Sequence, residues 1–333
     1  MLGTTATSPR ATAEWDKLTK ANWGYPHTQV YKYRDFKLGI WEQDERGSFN
    51  AVCELLRRLG VRWFMPGELG EVVPKSKSIS LATTDETVRP DFAVRRPYQY
   101  FKQFSSGELD ETMWQLRLGV SVAPEVFGLS DIGHGTNAVH EREEFRKANP
   151  EAFALFNGKR EVSGSYGAGK PCLSSAKLFE ENVRYVRAMF DIYREPMVSV
   201  MPEDGYAALC QCELCRGKGT PERGWEGQIS DYVWDYVNRV ATEVHKTHPN
   251  HKILCWAYGA YQAPPTKIEK LSPNIVVGIT QHRAGFFDAK DKKHHDELRT
   301  AWLGKSSQPL VIWDYYLHTR SGNTWEFMPM YFP

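Results

Sequence analysis

The chain has 333 residues, a length that suits one large domain or two of ordinary size. Hydrophobic residues make up 41% of it and charged residues 25%, which is typical of a soluble globular protein with a sizeable core. The formal net charge of +1 gives no electrostatic basis for a nucleic-acid partner, and no apolar run approaches the roughly 18 residues that membrane insertion requires.

The first 90 residues are predicted to hold a lead-in and a small α/β domain. Residues 1–28 are polar and lack the apolar stretch of a secretory signal, so the chain is either cytoplasmic or begins after a removed leader. Residues 29–90 form the small domain, with candidate strands near 29–33 and 37–41. An amphipathic helix is predicted over Ser48–Leu59, and a strand over Val61–Met65.

Residues 91–333 alternate candidate strands with candidate helices. The strands are predicted at Ala93–Phe101, Leu118–Ala123, Ala152–Phe156, Met197–Met201, Ile253–Tyr258, Ile275–Thr280 and Leu310–Tyr315. The helices are predicted at Lys177–Tyr193, Ile229–His248 and Lys292–Leu303. Repeated strand–helix units favour a (β/α)8-type TIM barrel, and an open doubly wound sheet is the alternative. Only 18 residues follow Tyr315, without a helix pattern, so the barrel is expected to be incomplete at its C-terminus.

Carboxylates, aromatic rings and amide donors follow the predicted strands. The apolar strand at Met197–Met201 leads through Pro202 into the acidic pair Glu203 and Asp204. In a parallel barrel, functional groups collect at the carboxyl ends of the strands, so we expect these side chains to share one mouth. The other candidates at strand ends are His134, Trp256, Tyr258, Tyr261, Gln281, His282, Trp313, Asp314 and Tyr315.

This set of residues suits glycoside chemistry, in which an acid protonates the leaving oxygen and aromatic rings hold the sugar. Such chemistry requires no cofactor. Plainer interpretations remain for single members: Asp204 caps a helix while Glu203 is solvated, and His134 only satisfies backbone groups. The convergence of the set, rather than any one residue, favours a catalytic site.

Three cysteines follow the acidic pair at the spacing of metal ligands, Cys210, Cys212 and Cys215. A structural zinc site needs four ligands, and Cys172 would lie beside the other three in a barrel. The sequence therefore predicts a structural zinc site of four thiolates. The alternatives are reduced thiols, or one disulfide in an exported protein. Cys53 and Cys255 lie in apolar contexts and are predicted to be core residues.

Several stretches resemble the domain-of-unknown-function family 4838, which overlaps glycoside hydrolase family 163, a family of endo-β-N-acetylglucosaminidases. The resemblance covers about residues 35–320. The fairly specific stretch is EDGYAALCQCELC at Glu203–Cys215. The weaker ones lie at Arg46–Pro74, Lys170–Ser175, Ile253–Pro265 and Val311–Tyr316.

The resemblance implies an exported barrel glycosidase that acts on N-acetylglucosamine-containing glycans. In similar enzymes an acidic pair serves substrate-assisted retaining hydrolysis, in which the acetamide of the substrate attacks the anomeric carbon. The resemblance casts Glu203 as the general acid and Asp204 as the residue that polarises the acetamide, although these roles could be exchanged. Tyr258 or Tyr315 could hydrogen-bond the acetamide, and Trp256 or Trp313 could form the floor of the sugar site.

Two other functions remain open. One is a carbohydrate-binding barrel without catalytic activity, because aromatic residues alone support binding. The other is a hydrolase that releases uronic acids, which needs a basic residue to pair with the substrate carboxylate. Lys102 and Arg283 are candidates for that pairing.

Overall fold

The computed structural model describes residues 47–92, 95, 108–120, 132–163, 169–193, 195–282, 286 and 288–315. These residues fall into two compact units, one within Val30–Leu129 and the other within Ser130–Pro333. The predicted lead-in at 1–28 and the predicted strands near 29–33 and 37–41 lie outside the described residues, as does most of the strand predicted at Ala93–Phe101. The predicted domain boundaries stay predictions.

The first unit is organised around an amphipathic helix, which confirms the helix predicted at Ser48–Leu59. Its elements are α1 (Gly47–Arg58), the antiparallel pair β1 (Arg62–Trp63) and β2 (Glu71–Val72), and α2 (Glu108–Arg117). Cys53, Val61 and Trp63 form its buried core, and Trp114 of α2 packs against them. The indole N–H of Trp114 donates to the carbonyl of Trp63 at 3.0 Å, which ties α2 to β1.

The second unit begins with short helices and a hairpin. These elements are α3 (Asn137–His140), α4 (Glu143–Ala148), β3 (Leu155–Phe156) and β4 (Lys159–Arg160). The parallel strand predicted at Ala152–Phe156 is wrong, because β3 pairs antiparallel with β4. The cause is the Asn157-Gly158 turn, whose φ values of 49° and 79° suit a two-residue hairpin.

The second strand predicted for the barrel is also corrected at its start. Leu118 and Gly119 form the turn that ends α2, with the amide of Leu118 bonded to the carbonyl of Trp114 at 3.1 Å. Gly119 has a φ of 77°, the left-handed conformation that commonly ends a helix. The residues 121–123 of that prediction lie outside the described part of the chain.

The core of the second unit is a four-stranded parallel sheet. Its strands β5 (Met197–Ser199), β6 (Lys252–Ala257), β7 (Ile275–His282) and β8 (Val311–Tyr315) lie side by side in chain order. These strands confirm the last four strand predictions. Continuous burial along β6 fits the rule that parallel sheets are covered on both faces.

Three helices accompany the sheet and confirm the helical predictions. They are α5 (Ala176–Tyr193), α6 (Ser230–His245) and α7 (Ala289–Lys305). Trp234 of α6 and Trp302 of α7 are fully buried, and their ring centroids lie 4.5 Å apart. Asp288 caps α7 by accepting from the backbone amides of Lys290 and Asp291. The contact between the two tryptophans joins α6 to α7.

The described residues thus form a mixed α/β fold with a parallel sheet of four strands in sequential order. That arrangement is half of what a (β/α)8 barrel requires. Among the helices of the described residues, none combines the length and apolar character needed to cross a membrane.

Candidate active site at the ends of the parallel strands

A glycine-rich segment crosses the carboxyl end of β5 and positions the residues around Glu203. The amide and the hydroxyl of Thr136 both donate to the carbonyl of Met201 at 3.1 Å. Gly135 lies against the backbone of Ser199 so closely that a Cβ would stand 1.7 Å from its carbonyl oxygen. Only glycine therefore allows this approach, which explains the residue type at position 135.

Two histidines of this segment contact the acidic turn. Nδ1 of His134 lies 2.7 Å from the carbonyl oxygen of Pro202, so its N–H donates to the residue before Glu203. His140 is fully buried, and its Nδ1 lies 2.8 Å from the carbonyl oxygen of Thr136. Because Nδ1 donates there, Nε2 is left to face Glu203, whose Oε2 lies 3.8 Å away.

The two neighbouring carboxylates occupy different environments. Glu203 is buried, with 9% of its surface exposed, whereas Asp204 is exposed. Gly205 has a φ of 69°, so the chain turns directly after the pair. Asp204 Oδ1 accepts from the amide of Gly205 at 2.9 Å and from the hydroxyl of Tyr258 at 3.3 Å. The ends of β5 and β6 therefore meet through Asp204 and Tyr258.

A third carboxylate, Glu141, interacts electrostatically with His140 and Glu203. Its pKa is raised above the usual range, mainly because the carboxylate is desolvated by burial. The charge of His140 opposes this rise in pKa, and the negative charge of Glu203 adds to it. Glu141 also accepts from the side-chain amide of Asn137 at 2.9 Å. Glu141, His140 and Glu203 thus form one electrostatically coupled group.

The tryptophans predicted at the sugar site pack together below the strand ends. Trp256 and Trp313 meet edge to face with centroids 5.1 Å apart. Trp256 is 3% exposed, and its indole N–H donates to the carbonyl of Ile132 at 2.6 Å. Its ring fills the space opposite Gly278, where a Cβ would lie 2.1 Å from the ring. Burial argues against direct contact between Trp256 and a substrate.

Gln281 and Asp314 lie on the other face of the sheet. The register pairs Gln281 with Asp314 and the preceding Thr280 with Trp313, and alternate residues of a strand point to opposite faces. Gln281 donates to Asp314 Oδ2 at 3.0 Å and accepts from Arg299 of α7 at 2.8 Å. Asp314 therefore faces the helical layer, which argues against the predicted position of its carboxylate in the same mouth as Glu203.

The remaining predicted residues divide between the core and the sheet end. Tyr261 is fully buried, and its backbone carbonyl accepts from the indole of Trp234 at 3.0 Å, so it belongs to the core. His282 and Tyr315 stack with centroids 4.8 Å apart at the ends of β7 and β8. Lys102 and Arg283, the candidates for binding a uronic acid, lie outside the described residues.

The four predicted metal ligands lie together. Cys172, Cys210, Cys212 and Cys215 are buried, and their sulfur atoms all lie within 4.8 Å of one another. Hydrogen bonds from Cys172 and Cys215 hold the pKa of the Cys210 thiol far below its usual range. Cys53 and Cys255 are buried elsewhere, as predicted.

Comparison with known proteins identifies the family. A family model described as Domain of unknown function (DUF4838) matches residues 65–332, which is more than half of the chain. The chain belongs to the DUF4838 family. No curated protein and no solved structure matches it. The DUF4838 match covers the acidic turn, the four cysteines and all four parallel strands.

Two residues of this DUF4838 domain were missed by sequence reasoning. His140 lies six residues after His134, and nothing in the sequence indicates which histidine reaches Glu203. Trp225 is 60% exposed and lies beside Gly259, directly after Tyr258 at the end of β6. No local sequence pattern distinguishes Trp225 from the other tryptophans, because its exposure beside this strand end is set by the fold.

Proposed function

We propose that the chain is a glycoside hydrolase that acts on N-acetylglucosamine-containing glycans by substrate-assisted retaining hydrolysis, as in glycoside hydrolase family 163. The observation that carries this proposal is the pair of adjacent carboxylates in unlike environments at a strand end. Glu203 is buried beside His140, and Asp204 is exposed beside Tyr258. Two carboxyl groups with different surroundings can take different roles in one reaction.

The proposed fold is a (β/α)8-type barrel preceded by a small N-terminal α/β domain. The four parallel strands in sequential order support it, since TIM barrels place consecutive strands side by side. The position of the acidic turn also fits, because barrel enzymes carry their chemistry at the carboxyl ends of strands. The proposed setting is an exported enzyme, in line with the glycan substrate.

In the proposed mechanism Glu203 is the general acid and Asp204 orients the acetamide. The acetamide oxygen attacks the anomeric carbon while the glycosidic C–O bond breaks, and Glu203 gives its proton to the leaving oxygen. Asp204 accepts a hydrogen bond from the acetamide N–H and stabilises the positive charge that develops on the resulting cyclic intermediate. Water then attacks the anomeric carbon, returning a proton to Glu203 and restoring the acetamide.

Tyr258 and Trp225 supply the remaining parts of the site. The hydroxyl of Tyr258 donates to Asp204 and fixes the direction of its second carboxylate oxygen. Trp225 offers an exposed ring beside the same strand end, on which the apolar face of a sugar can stack. We assign this stacking role to Trp225 instead of Trp256, because the ring of Trp256 is buried.

Paired carboxamide substitutions test the two roles. Glu203→Gln and Asp204→Asn should each lower kcat on a complex N-glycan by about 10²–10⁴-fold while glycan binding is kept. The exposed surface carboxylates Glu180 and Asp235 provide matched controls, Glu180→Gln and Asp235→Asn, which should keep full activity. Unchanged turnover in both Glu203→Gln and Asp204→Asn would contradict the proposal.

The proposed mechanism requires an acetamide group on the substrate, and this requirement separates it from its alternatives. An aryl β-N-acetylglucosaminide should be cleaved, and the matching aryl β-glucoside should not, because only the former carries the internal nucleophile. Replacing the acetyl group by trifluoroacetyl weakens that nucleophile and should slow the reaction. Binding of N-glycans with no turnover of any of them would instead favour the carbohydrate-binding barrel.

A further inference from the structure

The four buried cysteines bring two separate parts of the chain to one point. Cys172 follows the β3–β4 hairpin, whereas Cys210, Cys212 and Cys215 lie in the loop after β5. All four side chains are at most 7% exposed. The Sγ of Cys172 lies 3.8 Å from that of Cys212 and 3.5 Å from that of Cys215. The Sγ atoms of Cys212 and Cys215 are 3.6 Å apart.

These separations match a metal site better than disulfides. A disulfide holds its two sulfur atoms about 2.05 Å apart. A tetrahedral zinc ion with Zn–S bonds of about 2.3 Å sets its sulfur atoms about 3.8 Å from one another. The observed distances of 3.5–3.8 Å require shifts of only a few tenths of an ångström to reach that geometry.

The backbone around the cysteines is arranged as it is around bound thiolates. Sγ of Cys210 accepts from the amide of Leu155 at 3.2 Å and from the amide of Cys212 at 3.5 Å. A 3-10 turn at Glu213–Cys215 brings Cys212 and Cys215 to the same side of the loop. Amide donors aimed at a sulfur atom stabilise negative charge on it, which a metal-bound thiolate carries.

Hydroxyl groups complete the surroundings. Oγ of Ser174 and the hydroxyl of Tyr232 each lie 3.3 Å from Sγ of Cys215. Nζ of Lys218 donates to Ser174 Oγ at 2.9 Å, which places a positive charge near a site that would carry negative charge. Such partners orient the ligands of a metal and partly balance its charge.

We propose that Cys172, Cys210, Cys212 and Cys215 bind one structural zinc ion. Four thiolates fill a tetrahedral coordination sphere, so no position is left for water or a substrate and the ion takes no part in hydrolysis. The ion joins the hairpin segment to the loop that leads away from Asp204. It therefore restrains the loop that follows the acidic turn. This inference does not depend on the proposed glycosidase activity.

Direct contacts already link the same two segments close to the acidic pair. Nζ of Lys170 donates to the carbonyl of Gly205 at 3.0 Å, and the hydroxyl of Tyr206 donates to the carbonyl of Pro171 at 2.9 Å. Cys172 directly follows Pro171, and Asp204 directly precedes Gly205. Loss of the ion should therefore loosen the loop over residues 206–220 as well as the cysteine site.

Metal analysis of the whole chain tests the proposal without any activity measurement. Protein purified under reducing conditions, without added metal or chelator, should contain about one zinc per chain by mass spectrometry of the metal. Cys212→Ser and Cys172→Ser should lose most of that zinc. Cys53→Ala removes a buried thiol of the other unit and should keep the full zinc content.

Spectroscopy on the unmutated chain covers the case in which the serine variants do not fold. Cobalt-substituted protein should show the intense visible bands of a tetrahedral thiolate site, and zinc X-ray absorption should fit four sulfur atoms at about 2.3 Å. Removal of zinc by a chelator should increase proteolytic cleavage within residues 206–220. Zinc far below one equivalent, iron in its place, a nitrogen or oxygen ligand, or a mapped disulfide among the four cysteines would overturn the proposal.

Discussion

Nε2 of His140 lies 3.8 Å from Oε2 of Glu203, within a cluster that is almost closed to solvent. The other ring nitrogen of His140 is held by the carbonyl of Thr136, so the orientation of the imidazole is fixed. In its neutral form the ring presents a lone pair to Glu203, and in its charged form it presents a proton. In either form it restricts the positions that the Glu203 carboxyl group can take.

His140→Phe should therefore impair turnover without unfolding the chain. Phenylalanine keeps the ring volume and the edge-to-face contact with Phe153, but it removes both nitrogen atoms. We expect kcat to fall by about 10²-fold through misplacement of Glu203, with KM little changed. Steady-state kinetics and the thermal midpoint measure the two effects.

His248→Phe is the matched control for that prediction. His248 also packs beside a phenylalanine, Phe190, with centroids 5.4 Å apart, but it precedes β6 and so lies at the opposite end of the strands. Its substitution should leave kcat unchanged. If His140→Phe kept full activity and an intact structure, His140 would have no role in positioning Glu203.

The sequence was sufficient for the elements whose pattern is local. The strands β5 to β8 are short apolar runs that end in turn residues, and α5 and α6 repeat apolar residues on one face, so periodicity located them. The Asn-Gly pair at 157–158 is a local hairpin signal, and it agrees with the antiparallel pairing of β3 and β4 rather than with a parallel barrel strand at Ala152–Phe156.

The sequence did not show on which face of the sheet a given strand residue lies. Trp313 and Asp314 are neighbours, and which of them points to the helices depends on the pairing of β8 with β7. The contact of His140 with Glu203 likewise depends on how the segment before α3 crosses β5. The cysteine cluster was predictable because three of the four cysteines are close in sequence and only Cys172 had to be brought to them by the fold.

Gly135→Ala should destabilise the second unit. The added Cβ would stand 1.7 Å from the carbonyl oxygen of Ser199, so the segment or β5 must shift. Such overpacking costs typically about 1–3 kcal/mol. Gly304→Ala in α7 is the control, because a Cβ there meets nothing within 4 Å and alanine favours a helix. Urea unfolding should show loss of stability in the first variant only; equal midpoints would contradict the close approach.

Trp225→Ala should weaken substrate binding more than it slows turnover. The exposed ring is the proposed stacking surface for a sugar, so its loss removes apolar contact area with the bound sugar. We expect KM to rise several-fold with kcat nearly unchanged, whereas Trp225→Phe should recover most of the binding. Leu303→Ala, at an equally exposed apolar side chain of α7, should change neither constant. An unaltered KM in Trp225→Ala would exclude Trp225 from the sugar site.

Because of Asp231, the free energy of unfolding of the second unit should decrease as the solution becomes acidic. Burial by itself raises the pKa of this carboxyl group, but bonds from the Lys267 and Thr266 amides, the Thr266 hydroxyl and Arg223 outweigh it, so the folded pKa is lowered. The unfolded chain, with a pKa of about 3.9, then binds the proton more readily. The stabilisation is therefore present above about pH 4 and is lost as the pH falls through the folded pKa.

Asp231→Asn should remove that dependence. At about pH 7 we expect the variant to lose about 1.5–3 kcal/mol, because a charged acceptor at the start of α6 no longer fixes the loop after β6. At about pH 3 the difference should shrink, since Asp231 of the unmodified chain is then also becoming neutral. Asp235→Asn, on the exposed side of the same helix, should behave like the unmodified chain at both pH values. Urea unfolding midpoints of the three proteins at the two pH values measure these differences. If Asp231→Asn is less stable than the unmodified chain by the same amount at both pH values, the charge of Asp231 is not what holds the loop.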